Sequence, residues 1–426
     1  MSRETTDPFD DYSLAELRTR RSEKWATYPA DVLPAFVAEM DVALAAPIKR
    51  ALIAAIERGD TGYAHPAGLA AAFAEFAHAS FDWTVDPDRV VLVPDVTVGL
   101  AEVLRLTTPP GSDVVTNTLA YPPFAPTIAE YGRQVVDVPL LRTPDGWELD
   151  IDGLERAFRA GACAYLLCNP HNPTGRVFAR DDLEQVAALA RRYDVVVVAD
   201  ENHAPLTLPG AVHTPFVSLD EDVAPKAVTV ISAAKAWNVA GLKCAVAVAG
   251  SESMRARLAT LPAEVQTRAG HLGVLAAIAA FREGRPWLAD LLVHLDRNRR
   301  LLDDLLAAQL PAVGYVPPQA GYLAWLDCAG LGLGDDPAAH FLAEGRIALS
   351  RGLDFGTNGA GFVRLNMGDV ACPAGGGGRA HGRGHGGPGR QARASPRDAS
   401  PMPGAVALSA RLDIGTHASA WAWRQR

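Results

Sequence analysis

The sequence predicts an α/β protein: a mainly parallel sheet covered by helices, with a smaller α+β unit after it. Short apolar runs, Val90 to Asp95, Ala164 to Asn169, Val195 to Asp200 and Ala227 to Ser232, each end in polar residues. Between the later runs lie stretches with apolar positions at helical spacing, such as Asp181 to Tyr193 with Leu183, Val186, Leu189 and Ala190. Such alternation marks a parallel sheet buried under helices, and these sheets bind ligands beyond the carboxyl ends of their strands. Asn169, Asp200 and Ser232 all fall there.

The other elements follow in chain order. Pro94-Asp95-Val96-Thr97-Val98-Gly99 leads into a helical stretch over Leu100 to Leu106. Leu261 to His294 is rich in Ala and Leu and reads as helix, as does Arg297 to Leu310, which Pro311 stops. Gly321-Tyr322-Leu323-Ala324-Trp325-Leu326-Asp327 has an edge-like strand pattern, and Gly361-Phe362-Val363-Arg364-Leu365-Asn366 reads as another strand. At 426 residues the chain is long enough for two or three domains. The expected division is an N-terminal segment, 1–50, contributing to the small domain; a large domain, 51–290; the small domain, 291–367; and a tail, 368–426. No internal repeat is visible.

Composition narrows the class. Hydrophobic residues make up 49%, as in a globular enzyme. The five cysteines, Cys163, Cys168, Cys244, Cys328 and Cys372, form no CxxC pair and leave one over, so they read as reduced thiols and not as a disulfide frame or zinc site. The acidic opening with Asp7, Asp10 and Asp11 has no apolar signal region, and no later stretch is long enough to span a bilayer; a cytoplasmic protein without a membrane partner is expected. Net charge is −9, yet residues 371–426 hold eight Arg against Asp398 and Asp413, which leaves −15 on the first 370 residues. That acidic body argues against nucleic acid as a partner, and the run Asp220-Glu221-Asp222 reads as a solvated face.

Lys235, in Ser232-Ala233-Ala234-Lys235-Ala236-Trp237-Asn238, lies at the end of an apolar stretch. A lysine between Ala and Trp pays desolvation unless its charge is relieved, and an imine to an aldehyde cofactor relieves it. The bland alternative is a surface lysine. Asn169-Pro170-His171-Asn172-Pro173-Thr174-Gly175 and Ala199-Asp200-Glu201-Asn202-His203 argue against it. With the lysine segment they resemble the pyridoxal-phosphate (PLP) site of fold-type I aminotransferases, class I/II.

The resemblance implies a large domain built on a mainly parallel seven-stranded sheet, and a role for each matching residue. Lys235 is the imine lysine and base. Asp200, which could otherwise be a helix N-cap, holds the pyridine nitrogen protonated. Asn172 donates to the ring oxygen and sits near the substrate; His203 stands where many aminotransferases have tyrosine. Tyr121, in Tyr121-Pro122-Pro123-Phe124, stacks on the ring. Ser232, Lys243 and the amides of Val96 and Thr97 at a helix N-terminus bind phosphate, although many relatives have glycine where Asp95 stands and arginine where Lys243 stands. Tyr63, in Thr61-Gly62-Tyr63, reaches in from a partner subunit, which makes the active unit a homodimer. Arg364 clamps the substrate carboxylate through its bidentate fork.

Ser22-Glu23-Lys24-Trp25, Asp31-Val32-Leu33-Pro34 and Val37-Ala38-Glu39-Met40-Asp41 narrow the likeness to the MalY/PatB-type cystathionine β-lyases, and it continues to about Met367. The implied reaction is carbon–sulfur β-elimination from cystathionine or another cysteine S-conjugate to thiol, pyruvate and ammonia. Transamination with a 2-oxo acid shares every step through Cα proton removal and is the alternative. A reading of a different kind is an inert, regulatory relative; retention of Lys235, Asp200, Asn172 and Arg364 speaks against it.

After Met367 relatives continue with Ala-Thr-Ser and a closing amphipathic helix, whereas here Gly368-Asp369-Val370-Ala371-Cys372-Pro373 leads into a Gly/Arg/His/Pro stretch without helical periodicity. Shifting the reading by one base turns these codons into GNG-AYG-TNG-CNT, which can encode Ala-Thr-Ser-Pro. Residues 368–426 therefore read as a frameshift product, the alternative being a genuine disordered tail. Resequencing the gene and weighing the intact protein test this: a shifted frame is expected, and an unshifted gene with protein of the full 45.1 kDa mass rejects it.

Overall fold

Seven short strands rich in Val and Ala form one sheet: β1 (Val90–Val93), β2 (Asp113–Thr116), β3 (Gln134–Asp137), β4 (Ala164–Cys168), β5 (Val196–Asp200), β6 (Ala227–Ile231) and β7 (Ala245–Ala249), in the order β1-β7-β6-β5-β4-β2-β3. The computed structural model describes residues 9, 12–220, 222 and 224–368; the expected tail and its reading-frame question therefore lie, from residue 369 on, outside the described residues. Every residue of β4 to β7 is buried, which is why these strands read as continuous apolar runs. Pairing is parallel except around β7, which runs antiparallel to both β1 and β6.

Register brings the strand ends together. Cys168 pairs with Asp200, and Asp200 with Val230, so Asn169, Glu201 and the turn after Ile231 open on the same edge. Helix α1 (Val96–Thr107) packs on the sheet through Gly99, where an added Cβ would stand 2.9 Å from methyl carbons of both Val93 and Val230. Glycine is needed there for the helix to approach so closely. The stretch expected from Asp181 to Tyr193 is helix α2 (Arg180–Arg192), with Leu183, Val186 and Ala190 buried.

The long Ala/Leu-rich region needs a correction. It is not one helix but Ala263–Thr267, α3 (His271–Glu283) and α4 (Arg285–Gln309). Gly270 and Gly284 separate them, and Pro286 sits in the first turn of α4, where its missing N–H costs nothing. The stretch expected from Arg297 is the second half of α4. Positions 51 and 290, expected domain borders, fall inside the helix Ala46–Glu57 and inside α4, so the chain crosses both without a linker.

A second sheet contains β8 (Gly314–Tyr315), β9 (Leu323–Asp327), β10 (Ser350–Arg351) and β11 (Phe362–Asn366), ordered β8-β9-β11-β10. The edge-like pattern expected at Gly321 to Asp327 is corrected: β9 lies inside, paired with β8 and β11. One of its faces packs Ala324 and Leu326, with Val363 and Leu365, against Leu302, Leu306 and Phe341. The other carries Trp325 beside Phe355, Phe362 and Leu119.

The N-terminal segment ties the sheets together. Leu33–Pro34 pairs in parallel with Ile347–Ala348. Residues 36–41 then run on as a strap whose main-chain groups bond side chains from both halves. The Phe36 carbonyl accepts from Arg364 (2.9 Å) and Ser350 (2.6 Å), those of Val37 and Glu39 from Asn366 (2.9 and 2.5 Å), and Asn238 brackets both the N–H and the carbonyl of Met40 (2.9 and 2.7 Å). Asp41 anchors the end, accepting from Lys24 at 2.8 Å, the Trp25 indole at 2.7 Å and Arg20 at 3.3 Å. Lys24 is only 1% exposed; it also donates to the Glu39 carbonyl at 3.2 Å, and Asp41 supplies its counter-charge. Asp41→Ala strands the buried ammonium and is expected to cost about 3–5 kcal/mol, read as a lower urea midpoint; a change under about 1 kcal/mol would mean that the pair does not hold the strap.

Candidate active site

The carboxyl edge of the large sheet faces β9 and β11 across the strap, and most of the predicted residues meet in this crevice. Asp200 ends β5, is 9% exposed, and accepts from the Asn202 N–H at 3.0 Å. Burial pushes its carboxyl up to about 6, against the pull of the Asn202 bond and of Lys235. Lys235 follows β6 in the turn toward β7, with its Nζ 3.2 Å from the Ala38 carbonyl, which also accepts from the Tyr322 hydroxyl at 2.9 Å. Burial, helped by the charge of Arg364 and opposed by Glu39 and Asp200, lowers the amine to about 8.

Arg364 projects from β11 on the face shared with Trp325 and is 7% exposed. One Nη donates to the Asn172 side-chain oxygen at 3.0 Å and the other to Phe36 O and to Ser350 Oγ at 3.0 Å. Its guanidinium lies 4.9 Å over the Phe355 ring. The Nε is buried without a hydrogen-bond partner, so the fork has a donor to spare. Burial lowers its pKa to about 10, which leaves it charged at neutral pH. Asn172 is itself buried in the loop after β4, and Arg364 is what fixes its amide orientation.

Tyr121 is half-buried, edge-on to Phe124 at 5.5 Å, and its hydroxyl is pushed up by burial and by the Asp200 charge. His203 is buried, 6.3 Å from the Tyr322 ring, and burial with the charges of Lys235 and Arg364 drops it to about 3. It is a neutral ring at working pH, not a proton carrier.

Of the residues expected at a phosphate, Ser232 and Lys243 already have side-chain partners within the chain. Val96 and Thr97 open α1; Asp95 caps the helix by accepting from Val98 N–H at 2.8 Å, which leaves the Val96 and Thr97 amides beyond its reach. Lys243, in left-handed backbone with φ 58°, pairs with the other Asp95 oxygen at 3.1 Å. Ser232 donates to the Asn202 side chain at 2.6 Å and accepts from Ala234 N–H at 3.1 Å. Tyr63 is not brought to the crevice of its own chain: it stands 89% exposed.

Several members of the crevice escaped the sequence reading: Tyr322, Ser350, Phe355, Asn202 and the main-chain carbonyls of the strap. Asn366 carried a signal, a polar residue next to Arg364 in an otherwise apolar strand, and Tyr322 opens the Gly-Tyr-Leu strand pattern. Asn202 and the strap stand inside the motifs Ala199 to His203 and Val37 to Asp41 but were given no role there, while Ser350 and Phe355 belong to no pattern and are joined only by folding.

The lowered amine has a checkable consequence. An amine at about 8 is substantially free base at pH 8, where an ordinary lysine is almost wholly protonated. The rate at which cofactor-free protein couples to an added aldehyde, trapped by borohydride and mapped to Lys235, should rise with a midpoint near pH 8. A midpoint at the value of free lysine would contradict the burial argument.

With that geometry in hand, likenesses to other proteins become interpretable. The family aminotransferase class I and II matches residues 38–371. A protein of Mycobacterium leprae, provisionally named a cystathionine β-lyase, is 44% identical over 385 residues, covering 85% of this chain and 94% of its own. Cystathionine β-lyase PatB of Bacillus subtilis is 33% identical, covering 79% of this chain and 88% of its own. A crystal structure from Corynebacterium diphtheriae, provisionally described as a PLP-dependent β-cystathionase, superposes with a TM-score of 0.80 at 34% identity, covering 85% of this chain and 94% of that one. The match over 38–371, together with these identities over most of the chain, shows that the protein belongs to the class I and II aminotransferase family.

Proposed function

We propose that this chain is a pyridoxal 5′-phosphate-dependent carbon–sulfur β-lyase that cleaves cystathionine, or a related cysteine S-conjugate, to a thiol, pyruvate and ammonia. One arrangement carries the reading: a lysine amine lowered to about 8 shares a crevice with a buried aspartate and with an arginine whose Nε is unpaired. The names of the relatives support the lyase form of that chemistry.

The residues fit the cofactor. Lys235 offers an amine held only by a main-chain carbonyl and by charge. Asp200 offers a buried carboxylate for a ring nitrogen, Asn172 and His203 offer buried polar side chains, and Tyr121 offers an aromatic face. Val96, Thr97, Ser232 and Lys243 offer donors for a phosphate at a helix N-terminus. When bound, the cofactor supplies an electron sink for the charge left at the amino-acid Cα.

The chain's own residues do the rest. Arg364 and Asn172 hold the substrate carboxylate and fix which Cα bond faces Lys235. Lys235 removes the Cα proton, and its lowered pKa suits a base working near neutrality. Asp200, where ionised, would hold the ring nitrogen of the bound cofactor protonated. A thiolate, a good leaving group, then departs from Cβ.

We infer a homodimer in which Tyr63 reaches the neighbouring crevice. Tyr63 is 89% exposed, and Ile56 at 59% and Ile53 at 45% lie one turn apart on the helix Ala46–Glu57 before it, apolar side chains that a second copy would cover. We place the protein in the cytoplasm; the four described cysteines are free, and among the described residues no helix is long and apolar enough to cross a membrane. Transamination is the second reading, favoured by the family itself, because the same groups serve both reactions through proton removal.

Lys235→Ala should abolish the cofactor's visible absorbance and all turnover. Wild-type holoenzyme should release pyruvate and thiol from cystathionine without any 2-oxo acid; strict dependence on an added 2-oxo acid would establish the aminotransferase instead. Arg364→Met should raise KM about tenfold or more, the loss expected for charge-assisted hydrogen bonds to a carboxylate.

A further inference from the structure

One carboxylate stands among the donors offered to the cofactor's phosphate. Asp95 directly precedes α1, whose first amides, with Ser232 and Lys243, make up that donor set. Its backbone is extended, φ −155° and ψ 174°, and its side chain turns back over the first turn as an N-cap. One oxygen accepts from the Val98 N–H at 2.8 Å and the other from Lys243 Nζ at 3.1 Å. A single carboxylate thus holds the charged member of the set and a main-chain N–H of the same helical turn.

Capping needs no charge. Asn and Ser close a helix N-terminus about as well as Asp, so the negative charge at position 95 adds something else: a hold on Lys243 and a field. That field reaches the crevice. Behind burial and the Asp200 charge, Asp95 also raises the Tyr121 hydroxyl, and behind burial and Arg364, Lys243 lowers the Lys235 amine. Both members of the pair therefore act on groups already assigned to the cofactor.

A phosphate monoester carries about −1.5 to −2 charges at pH 7. To reach the Val96 and Thr97 amides and Lys243 it must approach a carboxylate bound to the same ammonium and the same turn, and the Asp95–Lys243 pair offers it no net positive charge. We propose that Asp95 sets the cofactor affinity of this chain: its carboxylate competes with the phosphate for Lys243 and opposes it by charge, a role that rests on the cofactor reading proposed above. Asp95 and Lys243 have side chains 29% and 58% exposed, so solvent screens the opposition and its size is about tenfold in affinity and not several decades.

The test titrates the full chain, stripped of cofactor, with pyridoxal 5′-phosphate and with pyridoxal, which lacks only the phosphate. Both aldehydes couple to the same lysine, so the ratio of their dissociation constants isolates what the phosphate contributes. Asp95→Asn, which keeps a capping side chain and removes the charge, should raise the preference for the phosphorylated form by about tenfold while leaving pyridoxal itself unchanged. Asp95→Ser should shift it in the same direction and serves as the check if the Asn variant fails to fold. Lys243→Gln should lower the preference; an unchanged ratio there would remove Lys243 from the phosphate and overturn the competition. A preference that stays the same or falls in both Asp95 variants, with pyridoxal 5′-phosphate still taken up, would overturn the role of Asp95 alone. No absorbance dependent on Lys235 with either aldehyde would overturn the cofactor reading and this role with it.

Discussion

The strap at residues 36–41 is the constraint on which the crevice depends. Past its pairing with Ile347–Ala348 the segment is only partly buried except at Met40, and its carbonyls find their donors in side chains. They take them from Arg364, Ser350 and Asn366 on one side and from Lys235 and Asn238 on the other. The two chemically important cations are thus positioned against the same few atoms of main chain. A displacement of the strap would misplace both at once, and the Lys24–Asp41 pair resists that displacement.

Charge inside the crevice is unbalanced in a way that selects ligands. Burial and the charge of Arg364 depress the Lys235 amine, and burial with both cations keeps His203 neutral. Glu39 and then Asp200 are the charges that oppose the lowering of Lys235, and burial pushes Asp200 toward neutrality. A crevice of this kind gains most from anions, and an amino-acid carboxylate and a phosphate are both anions. The partners that Lys243 and Ser232 make within the chain, Asp95 and Asn202, hold those side chains near the helix N-terminus in the meantime.

Much of this was legible in the sequence because it is written in local patterns. Apolar runs that end in Asn169, Asp200 and Ser232 announce a shared strand edge, and Lys235 and Arg364 stand in short motifs that travel as units. Strand direction was not legible: nothing in Ala245–Ala249 distinguishes an antiparallel neighbour from a parallel one, since burial on both faces gives the same apolar string. Helix breaks were read poorly because Gly270 and Gly284 interrupt an Ala/Leu-rich region without changing its composition. The interior place of β9 was hidden for a related reason, since Trp325 is covered by Phe355 and Phe362, residues that follow it by 30 and more positions.

The acceptor facing Lys235 is a peptide carbonyl, and no substitution at position 38 deletes it short of altering the backbone. Sequence drift along the strap is therefore partly buffered, since Phe36, Val37 and Ala38 can exchange side chains while presenting the same oxygens, whereas Glu39 also acts on the amine through its charge. Selection instead falls on distant residues that hold those oxygens in place: Lys24, Trp25 and Asp41 at one end, Asn238 and Asn366 at the sides. In such an arrangement, damage to the amine's environment would arise from positions that never touch it.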